Sequence, residues 1–213
     1  MKILSKKTIL TIFTKFAEKN PHPKTELLFN NDFTLLIAIV LSAQATDKSV
    51  NKATEQLFKG YNSASMILKL GLEGLKEFIK TIGLYNSKAS NIIELCKILV
   101  AQNDYIPNNF LELMKLPGVG RKTANVYLNA IHQMHNIGVD THVARVSKRL
   151  GLTKSDKPEQ IEKDLLNLIP KEFLKNAHNW IVLHGRYICK ARKPNCEECF
   201  LSGDCEYFKI NKL

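Results

Sequence analysis

The chain has 213 residues, 45% of them hydrophobic, with 31 Lys and Arg against 20 Asp and Glu for a formal net charge of +11. The length suits one large domain or two small ones, and the apolar fraction is that of a soluble globular protein. The basic surplus calls for a polyanionic partner, nucleic acid first and an anionic membrane surface second.

Ile9, Ile12, Phe13, Phe16 and Ala17 recur at helical spacing with Lys6, Lys7 and Lys15 between them, predicting an amphipathic helix packed on a core. No uninterrupted apolar run or small-residue cleavage site follows, so the segment reads as that helix and not as a secretory signal. Asn20-Pro21-His22-Pro23 ends this helix, because proline cannot continue one. Asp32 introduces the apolar stretch Leu35–Leu41, far short of the roughly 20 residues a membrane span needs. A buried helix is expected there, and a soluble protein without a membrane partner. Thr46-Asp47-Lys48 leads into a helix with Val50, Ala53, Thr54 and Leu57 on one face. Glycines 60, 71, 74 and 83 punctuate short helices after it.

Ser87 to Gln102 forms an amphipathic helix whose buried side is Ile92, Ile93, Leu95, Cys96, Ile98 and Leu99, which makes Cys96 a core residue and not a ligand. Phe110, Leu111 and Met114 form one helix, and Thr123 to Ile131 another. Asp140 is well placed to cap a helix carrying Val143, Val146 and Leu150. Helices at 159–168 and 176–183 complete an all-α fold.

Leu116-Pro117-Gly118-Val119-Gly120-Arg121-Lys122-Thr123 ends one helix, turns tightly and starts a second. Gly118 and Gly120 allow the backbone to approach a ligand, and a helix N-terminus favours an anion such as a DNA phosphate. A plain connection between two helices is the alternative. Arg121 and Lys122 lie where the dipole opposes a cation, so stability alone would prefer Asp or Glu. A lysine poorly placed for stability is a candidate nucleophile, since a neutral amine forms Schiff bases. It is otherwise a phosphate contact. Asp140, in Gly138-Val139-Asp140-Thr141-His142, can cap its helix, assist proton transfer or stabilise positive charge on a sugar. The cap and the chemical role are compatible.

Cys189, Cys196, Cys199 and Cys205 crowd into a C-x6-C-x2-C-x5-C pattern near the end of the sequence. A secreted disulfide scaffold would spread its cysteines. Clustered thiols indicate a metal. Zinc and a [4Fe–4S] cluster both accept four thiolates; the single close pair and unequal loops favour the cluster. Pro194 and Gly203 help the segment turn. Lys190, Arg192 and Lys193, held in the first loop, form a basic patch suited to phosphates.

These segments, with Leu41-Ser42-Ala43-Gln44-Ala45-Thr46-Asp47 and His184-Gly185-Arg186-Tyr187, resemble the bacterial endonuclease III family of helix–hairpin–helix DNA glycosylases. The resemblance runs nearly end to end and departs at no motif position. It implies a base-excision glycosylase and abasic-site lyase acting on damaged pyrimidines in double-stranded DNA, with Lys122 attacking the deoxyribose and Asp140 as the essential carboxylate. It implies a [4Fe–4S] cluster on the four late cysteines, with Gln44 and Leu84 filling the gap left by the flipped nucleotide. It implies two all-α domains, a six-helix hairpin domain at 24–135 and a discontinuous cluster domain at 1–23 plus 136–213. A cytoplasmic, nucleoid-associated monomer is expected.

Three other readings compete. Adenine-mismatch glycosylases share the fold and cluster but usually lack the hairpin lysine and add a C-terminal domain, so Lys122 and the end at Leu213 weigh against that reading. A non-catalytic DNA-binding module with structural zinc would need no lysine–aspartate pair. A ferredoxin-like electron carrier is disfavoured by the basic charge and the hairpin.

Overall fold

The structure is a computed structural model that describes residues 4–211. Its described residues form eleven α-helices and one short 3₁₀ turn, with no strand. None of the helices is long and apolar enough to cross a membrane. The chain divides into two compact units, Met1–Thr25 with Gln133–Leu213, and Glu26–His132.

The continuous unit is built around α2 (Asp32–Leu41), whose residues from Phe33 to Leu41 are all buried. Such a helix has no solvent face and belongs at the centre of its neighbours. Each fully buried Leu or Ile contributes about 1.5–3 kcal/mol relative to exposure, so this helix anchors the unit. The helix begins at Asp32, as expected, and its cap is Asn31, whose side chain accepts from the Thr34 N–H while the Thr34 hydroxyl answers in a capping box. Around it lie α3 (Asp47–Gly60), α4 (Ala64–Ile79) and α5 (Tyr85–Ala101). Gly71 breaks α4 with φ +76°, as its punctuating role predicted. Cys96 is fully buried in α5, and burial pushes its thiol up to about 12, so it is inert core.

Two short helices finish this unit, α6 (Phe110–Leu113) and α7 (Arg121–His132). The helix expected around Phe110, Leu111 and Met114 is present as a single turn capped by Met114; it buries Leu113, while Leu111 and Met114 are exposed. Four residues are too few for periodicity to mark a face.

The discontinuous unit packs α1 (Lys6–Lys19) against α10 (Lys171–Tyr187). Ile9, Ile12, Phe13 and Phe16 form the buried face of α1, as its spacing predicts. Phe16 stacks on Trp180 at 6.0 Å, and the Trp180 indole N–H donates to the Asn20 carbonyl at 2.7 Å. That bond satisfies both the buried indole and the end of α1. The helices α8 (Thr141–Leu150), α9 (Pro158–Leu168) and α11 (Glu206–Asn211) complete the unit. Gly185 lets α8 and α10 pack closely, since a Cβ there would stand 3.0 Å from side-chain atoms of His142 and Val146.

Candidate functional site

In the continuous unit, α6 ends and the hairpin turns through a Val119 N–H bond to the Leu116 carbonyl at 3.0 Å. The two glycines are not equivalent. Gly118 has φ +79°, and a Cβ there would press on Asn91 and Val40 at 3.2 Å. It permits both the left-handed turn and the seating of the hairpin on α2 and α5. Gly120 has no such φ and meets nothing within 4 Å, so it is an open, exposed point and not a conformational requirement. The Ala124 N–H reaches back to the Gly120 carbonyl at 3.0 Å, which starts α7 with Arg121 exposed and Lys122 half-buried in its first turn. The Arg121 guanidinium lies over the Phe110 ring at 5.0 Å, an arrangement that steadies a cation the helix dipole opposes.

Gln44 and Leu84 lie in the same unit, in the α2–α3 and α4–α5 connections. Both are exposed and both are left-handed, with φ of +55° and +60°. A Cβ on Gly83 would lie 4.0 Å from the Gln44 carbonyl, so the two connections are neighbours.

In the other unit, Asp140 caps α8 as expected. Its Oδ1 accepts from the His142 N–H at 2.9 Å and the Val143 N–H at 2.8 Å. Both cap bonds go to one carboxylate oxygen, so capping does not consume the whole group.

The four late cysteines come together. Cys189 follows α10, and Cys196, Cys199 and Cys205 arrive on successive turns to line one pocket, closed on its apolar side by Leu150, Ile188 and Phe208. Burial pushes the Cys199 thiol up to about 11 and raises Cys196 and Cys205 as well. Four such thiolates in one place are tenable when a positively charged metal group offsets them. Four thiols lining one pocket supply the donor set that a [4Fe–4S] cluster takes.

Sequence reasoning missed the arginines behind this pocket. Arg149 on α8 donates to the carbonyls of Lys190 at 2.7 Å and Ala191 at 3.0 Å, stands 3.4 Å from the Cys189 sulfur, and covers the Tyr207 ring at 4.8 Å. Arg145 donates to the carbonyls of Cys189 at 3.0 Å and Gly185 at 2.8 Å. His184 is buried with Nε2 3.6 Å from the Cys199 sulfur, and desolvation lowers its imidazole pKa to about 4, keeping it neutral. Their spacing on α8 was the available signal, since residues four apart share a face. Lys190, Arg192 and Lys193 are exposed on the loop so held, and Lys193 has φ +49°. Gly203, expected to aid the turn, has open space around it and an unexceptional φ.

Comparison with known proteins agrees with this geometry. Residues 37–171 match the model of the HhH-GPD superfamily base excision DNA repair proteins, and residues 189–205 that of the iron–sulfur binding domain of endonuclease III. Endonuclease III of Rickettsia felis is 58% identical over 92% of this chain and 93% of its own length. Endonuclease III of Escherichia coli is 52% identical over 96% of this chain and 97% of its own. A solved trapped endonuclease III–DNA covalent intermediate superposes with TM-score 0.92 at 44% identity, covering 99% of this chain and all of that one. A thermostable thymine-DNA glycosylase shares the fold with TM-score 0.85 at 23% identity.

Proposed function

The chain belongs to the endonuclease III family of base-excision repair proteins, and from that premise we propose that it removes damaged pyrimidines from double-stranded DNA and then cleaves the abasic site through Lys122. It is a DNA glycosylase and abasic-site lyase with a [4Fe–4S] cluster. The single observation that carries the catalytic assignment is a half-buried lysine in the first turn of the helix that follows the glycine hairpin.

The chemistry follows from what each group can do. The damaged nucleotide leaves the stack, most readily when the lesion stacks poorly. The Lys122 amine attacks C1′, the bond from C1′ to the base breaks, and the base departs with that electron pair and a proton. Ring opening gives a Schiff base between Lys122 and the sugar. Loss of a C2′ proton then expels the 3′ phosphate by β-elimination, and water releases the enzyme. Asp140 stabilises positive charge on the sugar and assists proton transfer, while its Oδ1 holds the start of α8. Phosphates are gripped by the hairpin at Gly118, Gly120 and Arg121 and by Lys190, Arg192 and Lys193. Gln44 and Leu84 occupy the vacated space in the duplex.

Cys189, Cys196, Cys199 and Cys205 would hold the cluster, whose part is to cross-link the C-terminal segment. The hairpin domain spans 24–135 and the cluster domain 1–23 with 136–213; the compact units, which meet within a few residues of those bounds, support this division. The enzyme acts as a monomer on the DNA of the cytoplasm. The end-to-end match to endonuclease III does not favour an adenine-mismatch enzyme or a zinc module.

Borohydride tests the assignment. On duplex DNA carrying an oxidised pyrimidine, the parent protein is expected to be trapped covalently, and Lys122→Gln to bind but not be trapped. Trapping of the variant at the parent rate would remove Lys122 from the nucleophile's role. Failure of the parent to cleave any oxidised pyrimidine would overturn the substrate class.

A further inference from the structure

Leu84 is 61% exposed in a left-handed conformation that disfavours a branched side chain, and Gln44, exposed and equally left-handed, lies on the neighbouring connection. Neither is placed for the stability of the unit. What holds them is one turn into α5. Lys88 is only 6% exposed. Its backbone N–H donates to the Leu84 carbonyl at 3.0 Å, and its ammonium reaches the Leu41 carbonyl at 2.9 Å. Leu41 is the last residue of α2, just before the connection that carries Gln44.

The neighbouring carbonyls already have local donors. Ser42 supplies both its N–H and its hydroxyl to Ile39, and the Ala43 N–H reaches Val40. The Leu41 carbonyl takes its donor from another helix. A buried lysine is a costly way to provide one, because desolvation penalises the ammonium and lowers its pKa. An unbranched apolar side chain would fill the same space without that penalty. The lysine adds a charge-assisted bond, stronger and more directional than packing, between two specific points of the chain.

We infer that Lys88 is a positioning residue: bound to Leu84 through its backbone and to Leu41 through its ammonium, it fixes the Gln44 and Leu84 tips at one spacing so that they enter the duplex as a unit. The inference rests on the reading that these two residues fill the gap left by the displaced nucleotide. Mobile tips would still meet DNA, but each would have to be ordered at the moment of insertion. Lys88 removes that cost beforehand.

The experiment measures full-length protein on a duplex holding a tetrahydrofuran abasic analogue opposite 2-aminopurine, beside the undamaged duplex. Lys88→Met, with folding checked by circular dichroism, is expected to bind the undamaged duplex within about twofold of the parent, yet lose about tenfold on the abasic duplex. The 2-aminopurine fluorescence change on binding should shrink with it. Gln44→Ala and Leu84→Ala should be non-additive with Lys88 present and multiply independently in Lys88→Met. If Lys88→Met does not fold, Lys88→Gln, which is too short to reach Leu41 but keeps a polar end, takes its place with the same expectations. Parent-like preference and unchanged non-additivity in the folded variant overturn the positioning role. If Gln44→Ala and Leu84→Ala themselves leave the abasic preference intact with Lys88 present, the gap-filling reading fails and carries the inference down with it, in a pattern distinct from the first.

Discussion

Arg149 donates to the Lys190 carbonyl at 2.7 Å, so the first stretch of the basic loop hangs from α8 by a side chain as well as by its cysteines. The same guanidinium bonds Ala191 and lies over Tyr207, giving a planar cation three separate duties. Arg149→Met keeps the aliphatic stem and removes every donor. Charge-assisted bonds of this kind contribute about 1.5–3 kcal/mol each. Duplex affinity is expected to fall about tenfold, with faster loss of iron to a chelator at 37 °C. Iron release at the parent rate together with parent affinity would show that the cysteines alone hold the loop.

The two hairpin glycines should respond differently to the same substitution. Gly118→Ala places a methyl in a left-handed turn against Asn91 and Val40, and should cost about 1–3 kcal/mol in denaturant unfolding. Gly120→Ala enters open space at ordinary φ and should leave stability within about 0.5 kcal/mol. If Gly120 matters, it is for the approach of DNA, and its alanine variant should show weakened binding without a stability change. Equal destabilisation by both would contradict the geometry.

Asp140→Asn retains an oxygen for the His142 and Val143 N–H groups. Its unfolding midpoint should therefore drop by less than about 1 kcal/mol equivalent, the size of a whole cap, whereas single-turnover base release should fall by two or more orders of magnitude. A variant that turns over at close to the parent rate would leave Asp140 with the cap alone.

Lys193 is exposed on the cluster loop in a left-handed conformation. Lys193→Gln should weaken binding to all duplex sequences alike and make the slope of log affinity against log salt shallower by about 0.9, the contribution of one phosphate contact. A slope equal to the parent's would place this residue away from the DNA backbone.

Much of the fold was legible because long helices with one buried face repeat their apolar residues at helical spacing, as Ile9, Ile12, Phe13 and Phe16 do. Apolar α2 was legible for the opposite reason: with no polar face it had to be central. Less was legible where a segment was too short to show a period: the helix at α6 was expected, but not which of its residues it buries. The cysteine pocket could be read from spacing, whereas its supports left only the four-residue spacing of Arg145 and Arg149 as a trace. Arg145 and Arg149 look like solvated helix cations until the loop they hold is placed beside them. Lys88 was invisible because a lysine in an otherwise polar stretch reads as surface, and only packing reveals that it is buried.

The split in the discontinuous unit has a consequence for how the molecule is made. Helix α1 is translated ahead of the other described helices, carrying Ile9, Ile12, Phe13 and Phe16 on one face, but the aromatic residues it packs against, Phe173 and Trp180, follow more than 150 residues later. At about 5–20 residues per second, that leaves roughly ten seconds or more in which a sticky helix has no native neighbour. Residues 26–132 meanwhile form a compact unit from one continuous stretch of chain and can begin to fold as they emerge. The exposed lysines of α1, Lys6, Lys7 and Lys19, therefore serve the nascent chain before they serve the finished one. They keep the waiting segment hydrated and repelled from its copies on neighbouring ribosomes until Trp180 arrives to close over it.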